Sequence, residues 1–201
     1  MKDMRPRDVL FSIADSQKGY FTASQARRAG ISSAGQMYHV KSGNWIRRSR
    51  GVYRLKNYPV QEDEHYALWC VWSMNRKGEI LGVLSHETAL SIYELSDVNP
   101  VKIHMTVPRG FRRHGEIPSV LKLHFSPMHA PEYEQNGGYR VTRPFRTIAD
   151  LVRGALLPAD VIVQAVREGL QKGVLTRTQY AKLLEMPRVG NSLKRMMGDF
   201  A

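Results

Sequence analysis

Residues 20–55 constrain the fold most, because they combine two short capped helices with a basic hairpin. Thr22 and Gln25 have the spacing of a capping box, in which the threonine hydroxyl and the glutamine amide each bond a backbone N–H at a helix start. A first helix is therefore expected to begin after Thr22 and to end at Gly30. Two consecutive serines can cap a second helix that ends at Gly43. Two helices separated by so short a turn predict a helix-turn-helix.

The hairpin that follows Gly43 is rich in arginine. Arg47, Arg48 and Arg50 flank a tight turn between two runs of strand-forming residues. Such a hairpin beside a helix-turn-helix predicts a wing that lies along a phosphate backbone or in a minor groove. The alternative is a solvated charge cluster on a purely structural hairpin.

The second helix of a helix-turn-helix lies in the major groove, where its N-terminal residues meet base edges. Gln36 is among the residues expected to point outward, and it is the one whose amide can read adenine through two hydrogen bonds. Met37 and Val40 are expected to face the core. The full set of expected DNA contacts is Thr22, Ser33, Gln36, Tyr38, His39, Lys41, Arg47, Arg48 and Arg50.

The formal charge of the 201-residue chain is +12, with a pI of about 10.0, which indicates a polyanionic partner. Residues 1–58 carry a net charge of +9, and residues 59–201 a net charge of +3. The excess positive charge is thus concentrated in the predicted DNA-binding segment. A single cysteine, Cys70, allows no internal disulfide and no zinc ribbon, and no secretory or membrane-spanning segment is evident. We therefore expect a cytoplasmic protein without a membrane partner.

A proline-containing linker near residues 56–61 predicts a domain boundary, with a winged helix-turn-helix domain at 1–58 and a second domain at 59–201. The second domain shows helical patterns before and after two alternating strands around 103–107 and 121–125. The expected fold class is α+β: an N-terminal winged helix-turn-helix followed by an α+β domain with a small sheet and several helices.

The two alternating strands place basic residues between apolar ones, and the loop that joins them is rich in arginine. This pattern predicts a second basic surface that could contact nucleic acid. The alternative, that these side chains form an ordinary solvated face, stays open. The surface would comprise Lys102, His104, Arg109, Arg112, Arg113, Lys122 and His124.

Five sequence blocks in a fixed order resemble the AbiEi family of antitoxins from type IV toxin-antitoxin systems. The blocks are GYFTASQARRAGI, WIRRSRGVYRL, LSHETALSIYELSD, KIHMTVPRGFRR and VTRPFRTIADLV, and the resemblance extends over nearly the whole chain. The resemblance implies an antitoxin that represses its own operon by binding inverted repeats of double-stranded DNA in its promoter. It further implies that a nucleotidyltransferase-like toxin is countered without a stable complex. We expect a monomer in solution that binds DNA cooperatively.

The spacing of the candidate catalytic residues does not favour an enzymatic function. Ser85, His86 and Glu87 are adjacent, and neighbours on a helix point about 100° apart, so no relay is expected among them. Ser85 is expected to cap a helix, and Asp150 to pair with Arg146 at i, i+4 spacing. No catalytic residue, metal site or cofactor is therefore predicted. The alternative function is a non-catalytic module that binds RNA or DNA in general, with a nuclease as the weaker possibility.

Overall fold

The computed structural model describes residues 5–113 and 115–199. Within them, the chain divides into two compact units: residues up to 82 with 135–140, and residues 83–134 with 141–199. The first unit includes α1 (Pro6–Asp15), β1 (Tyr20–Thr22), α2 (Ala23–Arg28), α3 (Ser33–Lys41), β2 (Trp45–Ser49), β3 (Val52–Leu55) and α4 (Glu64–Trp72).

The remaining elements follow Val83. They are β4 (Val83–Leu84), α5 (His86–Ile92), β5 (Ile103–Val107), β6 (Leu121–Phe125), a 3-10 turn (Ala130–Glu132), β7 (Tyr133–Asn136), β8 (Tyr139–Thr142), α6 (Pro144–Gly154), α7 (Ala159–Gln171), α8 (Arg177–Glu185) and α9 (Val189–Asp199). The α+β fold class predicted from the sequence is confirmed.

Local capping determines how the helix-turn-helix begins. The Thr22 hydroxyl accepts a hydrogen bond from the backbone N–H of Gln25, and the Gln25 side chain accepts one from the Thr22 N–H, so the predicted capping box is present. The Ser32 hydroxyl caps α3 by accepting from the Gly35 N–H. Each cap satisfies backbone donors that a helix N-terminus leaves without an intrahelical partner.

A three-stranded antiparallel sheet, in the order β1-β3-β2, joins the helices of the first unit. Its core contains Leu10 from α1, Phe21 from β1 and Trp45 from β2, all nearly inaccessible to solvent. Phe21 and Trp45 meet edge to face, with ring centroids 4.8 Å apart. The wing and the helix-turn-helix therefore share one hydrophobic core.

Helix α4 belongs to the first unit, because two side chains of the sheet bond to it. Arg54 on β3 is buried and forms a salt bridge with Glu64 at 2.6 Å. The hydroxyl of Tyr20 also donates to Glu64. The compact unit thus extends beyond residue 58, where the sequence predicts a boundary. That residues 1–58 form a functional domain of their own stays a prediction.

Strands β4 to β8 form a five-stranded mixed sheet in the order β6-β5-β4-β8-β7. Strand β4 runs antiparallel to β5 and parallel to β8, and β5 runs parallel to β6. The helices that follow the sheet share a core that includes Ile148, Ile162, Val166, Leu183 and Leu193. This second unit holds the two alternating strands that the sequence singled out.

Candidate nucleic-acid interface

The solvent-exposed side chains of helix α3 include both polar and apolar ones. Ser33 and Lys41 are exposed, as are Met37 and Tyr38, whose relative exposures are 60% and 65%. His39 is half-buried and stacks on Trp45, with ring centroids 4.8 Å apart and an angle of 15° between the rings. These positions give the helix an exposed face that a DNA groove could accept.

Gln36 does not lie on that face. Its side chain is only 6% exposed, and its Nε2 donates to the carbonyl oxygens of Ala23 at 3.1 Å and Ile31 at 3.2 Å. The expectations that Gln36 points outward and that Met37 points into the core are therefore wrong. The physical reason is that the glutamine amide has two donors, which bond the carbonyl of Ala23 at the start of α2 and that of Ile31 in the turn before α3.

The wing exposes all three predicted arginines. A β-bulge between Arg47 and Ser49 places Arg48 as an extra residue opposite β3, which interrupts the usual alternation of strand faces. Gly51 closes the turn with a φ of 75°, a left-handed conformation that glycine adopts without a Cβ clash. Arg47, Arg48 and Arg50 are consequently all exposed.

The wing arginines differ from Arg54 in their partners. Within residues 5–113 and 115–199, none of the three wing guanidinium groups forms a salt bridge. Arg54, in contrast, is 5% exposed, and besides pairing with Glu64 it donates to the carbonyls of Tyr58 and Pro59. The wing arginines are therefore available to a polyanion, whereas Arg54 fixes the position of the segment that follows β3.

The residues of the expected second basic surface are distributed between solvent and the core. Lys102, Lys122, Arg109 and Arg112 are exposed. Arg113 is half-buried, and burial lowers its pKa from the ordinary arginine value. The two histidines of the set are less accessible than the lysines: His104 is buried and His124 is half-buried.

His104 is 3% exposed, so its expected place on a solvated strand face is wrong. Met105, Thr106 and Val107 of the same strand are also buried, which means that both faces of β5 are covered. Helix α5 covers the side on which His104 lies, and the Thr88 hydroxyl accepts a hydrogen bond from the His104 N–H at 2.8 Å. Alternation in sequence cannot distinguish a solvated face from one that a helix covers.

Three histidine rings, those of His86, His104 and His124, pack together and are called the histidine cluster here. The rings of His86 and His124 stack with centroids 3.6 Å apart, and those of His104 and His124 are 5.2 Å apart. The pKa of His86 is lowered to about 3 and that of His104 to about 4. Burial is the largest cause in both, and the positive charge of neighbouring histidines and of Lys122 adds to it. Burial also lowers the pKa of His124 to about 4. The cluster is therefore uncharged near neutral pH and supplies no cation to a phosphate.

Ser85 and His86 contact each other in a way that the sequence argument excluded. The Ser85 Oγ lies 2.9 Å from the His86 Nδ1, and the Thr106 hydroxyl donates to the same Oγ at 2.8 Å. Ser85 is extended and His86 is left-handed with a φ of 54°, so the pair does not have helical geometry. Ser85 precedes α5 as predicted, but its side chain makes no capping hydrogen bond and is fully buried.

Arg146 lies at the centre of a carboxylate network in the second unit. Its Nε bonds Asp150 at 2.7 Å, which confirms the pair predicted at i, i+4 spacing. Its Nη1 also pairs with Glu132, and its Nη2 donates to the Ser126 hydroxyl at 3.0 Å. The side chain is 11% exposed. Arg146 thus joins α6 to the 3-10 turn and to the segment after β6.

No helix within the described residues is both long enough and apolar enough to span a bilayer. No group of three or more histidine, cysteine, aspartate or glutamate side chains within them has an arrangement suited to a metal ion.

Comparisons with known proteins agree with the sequence resemblance. Residues 8–56 match the family described as "Transcriptional regulator, AbiEi antitoxin", and this confirms the predicted resemblance. The chain is similar in structure to the RV2827C protein from Mycobacterium tuberculosis, with a TM-score of 0.54 and 13% identity over 94% of this chain and 75% of that one. At this identity, the likeness shows the fold alone. No curated protein matches the sequence.

Proposed function

We propose, from the match of residues 8–56 to the AbiEi antitoxin family of transcriptional regulators, that the chain is a sequence-specific DNA-binding repressor that acts as the antitoxin of a type IV system. It would regulate its own operon by binding inverted repeats in the promoter. The observation that carries the proposal is the wing, where three exposed arginines have no salt-bridge partner among the described residues and lie in the same compact unit as the exposed face of α3.

In the proposed interface, the wing and helix α3 have different roles. Phosphate contacts position a protein on DNA, and base contacts give specificity. Arg47, Arg48 and Arg50 would contact phosphates, since exposed guanidinium groups bind phosphate oxygens through paired hydrogen bonds. Tyr38 and Lys41 lie on the exposed face of α3, from which they would contact base edges or the backbone. Thr22, Ser33 and His39 complete the proposed set.

With Gln36 turned inward, specificity must come from other side chains of α3. Met37 is exposed near the middle of the helix, and an apolar side chain there can contact the methyl group of thymine. Ser33, in the first turn, can bond either a base edge or a phosphate. The proposed readout is therefore part polar and part apolar.

Competition for DNA tests the proposed function. The full chain is bound to a labelled duplex taken from directly upstream of its own reading frame, and unlabelled random duplex is added in excess. Specific binding should survive competitor at a ratio of about 10³ or more, and a footprint should cover two inverted half-sites. Equal competition by promoter and random DNA would contradict the proposal and favour the general nucleic-acid module instead.

Antitoxicity is tested separately from repression. We expect the second unit to counter a nucleotidyltransferase-like toxin without forming a stable complex. The full chain with Arg47, Arg48 and Arg50 all replaced by alanine should still protect cells that express the toxin from an unrelated promoter. Loss of protection in parallel with loss of DNA binding would show that antitoxicity is only a consequence of repression.

The proposed assembly is a monomer in solution that binds DNA cooperatively. Sedimentation of the free protein should give the mass of one chain, and titration of a two-site operator should be steeper than titration of a single half-site. A stable dimer in the absence of DNA would contradict this part of the proposal.

A further inference from the structure

The first unit contains a cavity of about 370 Å³ that shares only His39 with the proposed DNA interface. It lies among α1, the C-terminal end of α3, the start of β2 and the segment after β3. Its walls are mostly apolar and include Leu10, Phe11, Trp45 and Leu55. Sites for small molecules typically have volumes of about 300 to 1,000 Å³ and walls of this composition. The cavity can therefore hold a molecule of one or two aromatic rings.

The polar groups around the cavity are basic or neutral. Arg7 and Lys56 are exposed cationic residues on its lining, together with the His39 imidazole and the amides of Asn44 and Asn57. No acidic residue belongs to the lining within the described part of the chain. An apolar wall with cations beside it favours a ligand that is apolar at one end and anionic at the other, since the charge can stay near solvent while the rings are buried.

The aromatic residues of the cavity wall favour a ligand that contains an aromatic ring. Phe11 is 54% exposed although it lies beside a buried core, so the free protein leaves a large apolar surface in water there. Trp45 and Tyr58 supply two more rings to the lining. Aromatic rings pair with other rings in offset or edge-to-face geometry, which adds to the free energy of burial alone. A planar aromatic ligand is therefore favoured over an aliphatic one.

We propose that this cavity is an effector site for a small aromatic carboxylate. Two of its wall residues connect it to the DNA interface: His39 belongs to α3, and Trp45 begins the first strand of the wing. Their stacked rings would be contacted directly by a ligand in the cavity. Occupation of the cavity changes the affinity for DNA, and by linkage DNA changes the affinity for the ligand by the same factor. This coupling, but not ligand binding itself, rests on the proposed function.

Calorimetry of the full chain without DNA tests the site. Naphthalene-1-acetate is the probe, and naphthalene-1-acetamide is its uncharged counterpart of nearly equal shape. The acetate should bind at one site per chain with a Kd of about 1 mM or tighter, as expected for a ligand of this size. It should bind at least about tenfold more tightly than the amide, a difference of about 1.4 kcal/mol.

Charge-reversal variants identify the cations. Lys56→Glu should reduce the affinity for the acetate at least about fivefold and leave that for the amide nearly unchanged, because only the acetate carries a charge. Lys77→Glu is the matched control, since Lys77 is an exposed lysine of the same unit and does not line the cavity. Phe11→Ala should weaken both probes. Absence of saturable binding, equal affinity for acetate and amide, or equal effects of the two lysine variants would overturn the proposed site.

The coupling is measured by fluorescence anisotropy of promoter DNA with and without saturating naphthalene-1-acetate. The affinity of the wild-type chain for the promoter should change at least about threefold, and Lys56→Glu should need at least about fivefold more probe to reach half of its own change. Unchanged promoter affinity in the wild type, despite calorimetric binding, would overturn the effector role. Failure of the chain to bind promoter DNA even without probe would instead contradict the proposed function, and the calorimetric result would still decide the site.

Discussion

The three arginines of the wing and two basic residues of the second unit, His104 and Arg146, occupy opposite environments. Arg47, Arg48 and Arg50 are exposed on a two-stranded hairpin, whereas His104 is buried under α5 and Arg146 is enclosed by carboxylates. An exposed cation contributes little to folding and is available to a polyanion. A buried base or ion pair contributes to the fold and is unavailable to a ligand. Residue type alone therefore does not identify a nucleic-acid interface, because the same kind of basic side chain can be exposed to a ligand or enclosed in the fold.

The largest effect is expected at Arg146. Arg146→Ala leaves the half-buried Glu132 without a salt bridge and leaves Asp150 with only its 3.4 Å contact to Arg153, so the free energy of unfolding should fall by about 3 kcal/mol. Arg143→Ala is the control, because Arg143 pairs with Glu134 while half exposed, and such pairs contribute about 1 kcal/mol or less. Denaturant unfolding measures both. Similar losses for the two variants would contradict the structural role of Arg146.

Replacement of Arg47, Arg48 and Arg50 by alanine should weaken DNA binding without destabilising the fold. Each lost phosphate contact should flatten the dependence of log K on log salt by about 0.9, so three contacts correspond to an affinity loss on the order of 10²-fold near 0.15 M salt. The loss should be equal for promoter and random DNA. A salt titration of the folded triple variant that matches the wild type would disprove the wing assignment.

The histidine cluster should make stability depend on pH. The folded pKa of His86 is about 3, below the ordinary value of 6.5, and those of His104 and His124 are about 4. Below pH 6.5 the unfolded chain binds protons that the folded chain does not, so stability is complete above that pH and is lost as pH falls. Between pH 6.5 and 5.5, the unfolding free energy should fall by about 1 kcal/mol for each histidine.

The variant His86→Asn checks the origin of that pH dependence. Asparagine tolerates the left-handed backbone at this position and does not titrate. The dependence of the unfolding free energy on pH should therefore lose the contribution of one histidine. His65→Asn is the control, since His65 is exposed. An unchanged slope in His86→Asn, measured by urea unfolding at several pH values, would show that the cluster does not cause the acid sensitivity.

The smallest effect is expected at Gln36. Gln36→Ala removes the hydrogen bonds to the carbonyls of Ala23 and Ile31, so the unfolding free energy should fall by about 1 to 2 kcal/mol, and DNA affinity of the folded fraction should hardly change. Met37→Ala is the control for stability, because an exposed side chain contributes about 0.5 kcal/mol or less. Selective loss of promoter affinity in Gln36→Ala, with stability intact, would show that the amide turns outward to read a base in the complex.

Features that depend on near neighbours in the chain were predictable. The capping box of Thr22 and Gln25 and the ion pair of Arg146 and Asp150 join residues three or four apart, and helical geometry alone brings such residues together. The exposed arginines of the wing were predictable for a similar reason, since a short turn leaves no room to bury three guanidinium groups. The α+β class followed from the same local periodicities.

The sequence by itself thus determined where the helix-turn-helix and its wing lie and where the positive charge is concentrated. Only the tertiary structure decided that Gln36 bonds the carbonyls of Ala23 and Ile31, and that α5 covers His104 on its strand. It also decided that α4 packs with the wing through Arg54 and Glu64. The physical reason is that burial depends on which distant element covers a face, whereas period and capping describe only how a segment is folded within itself.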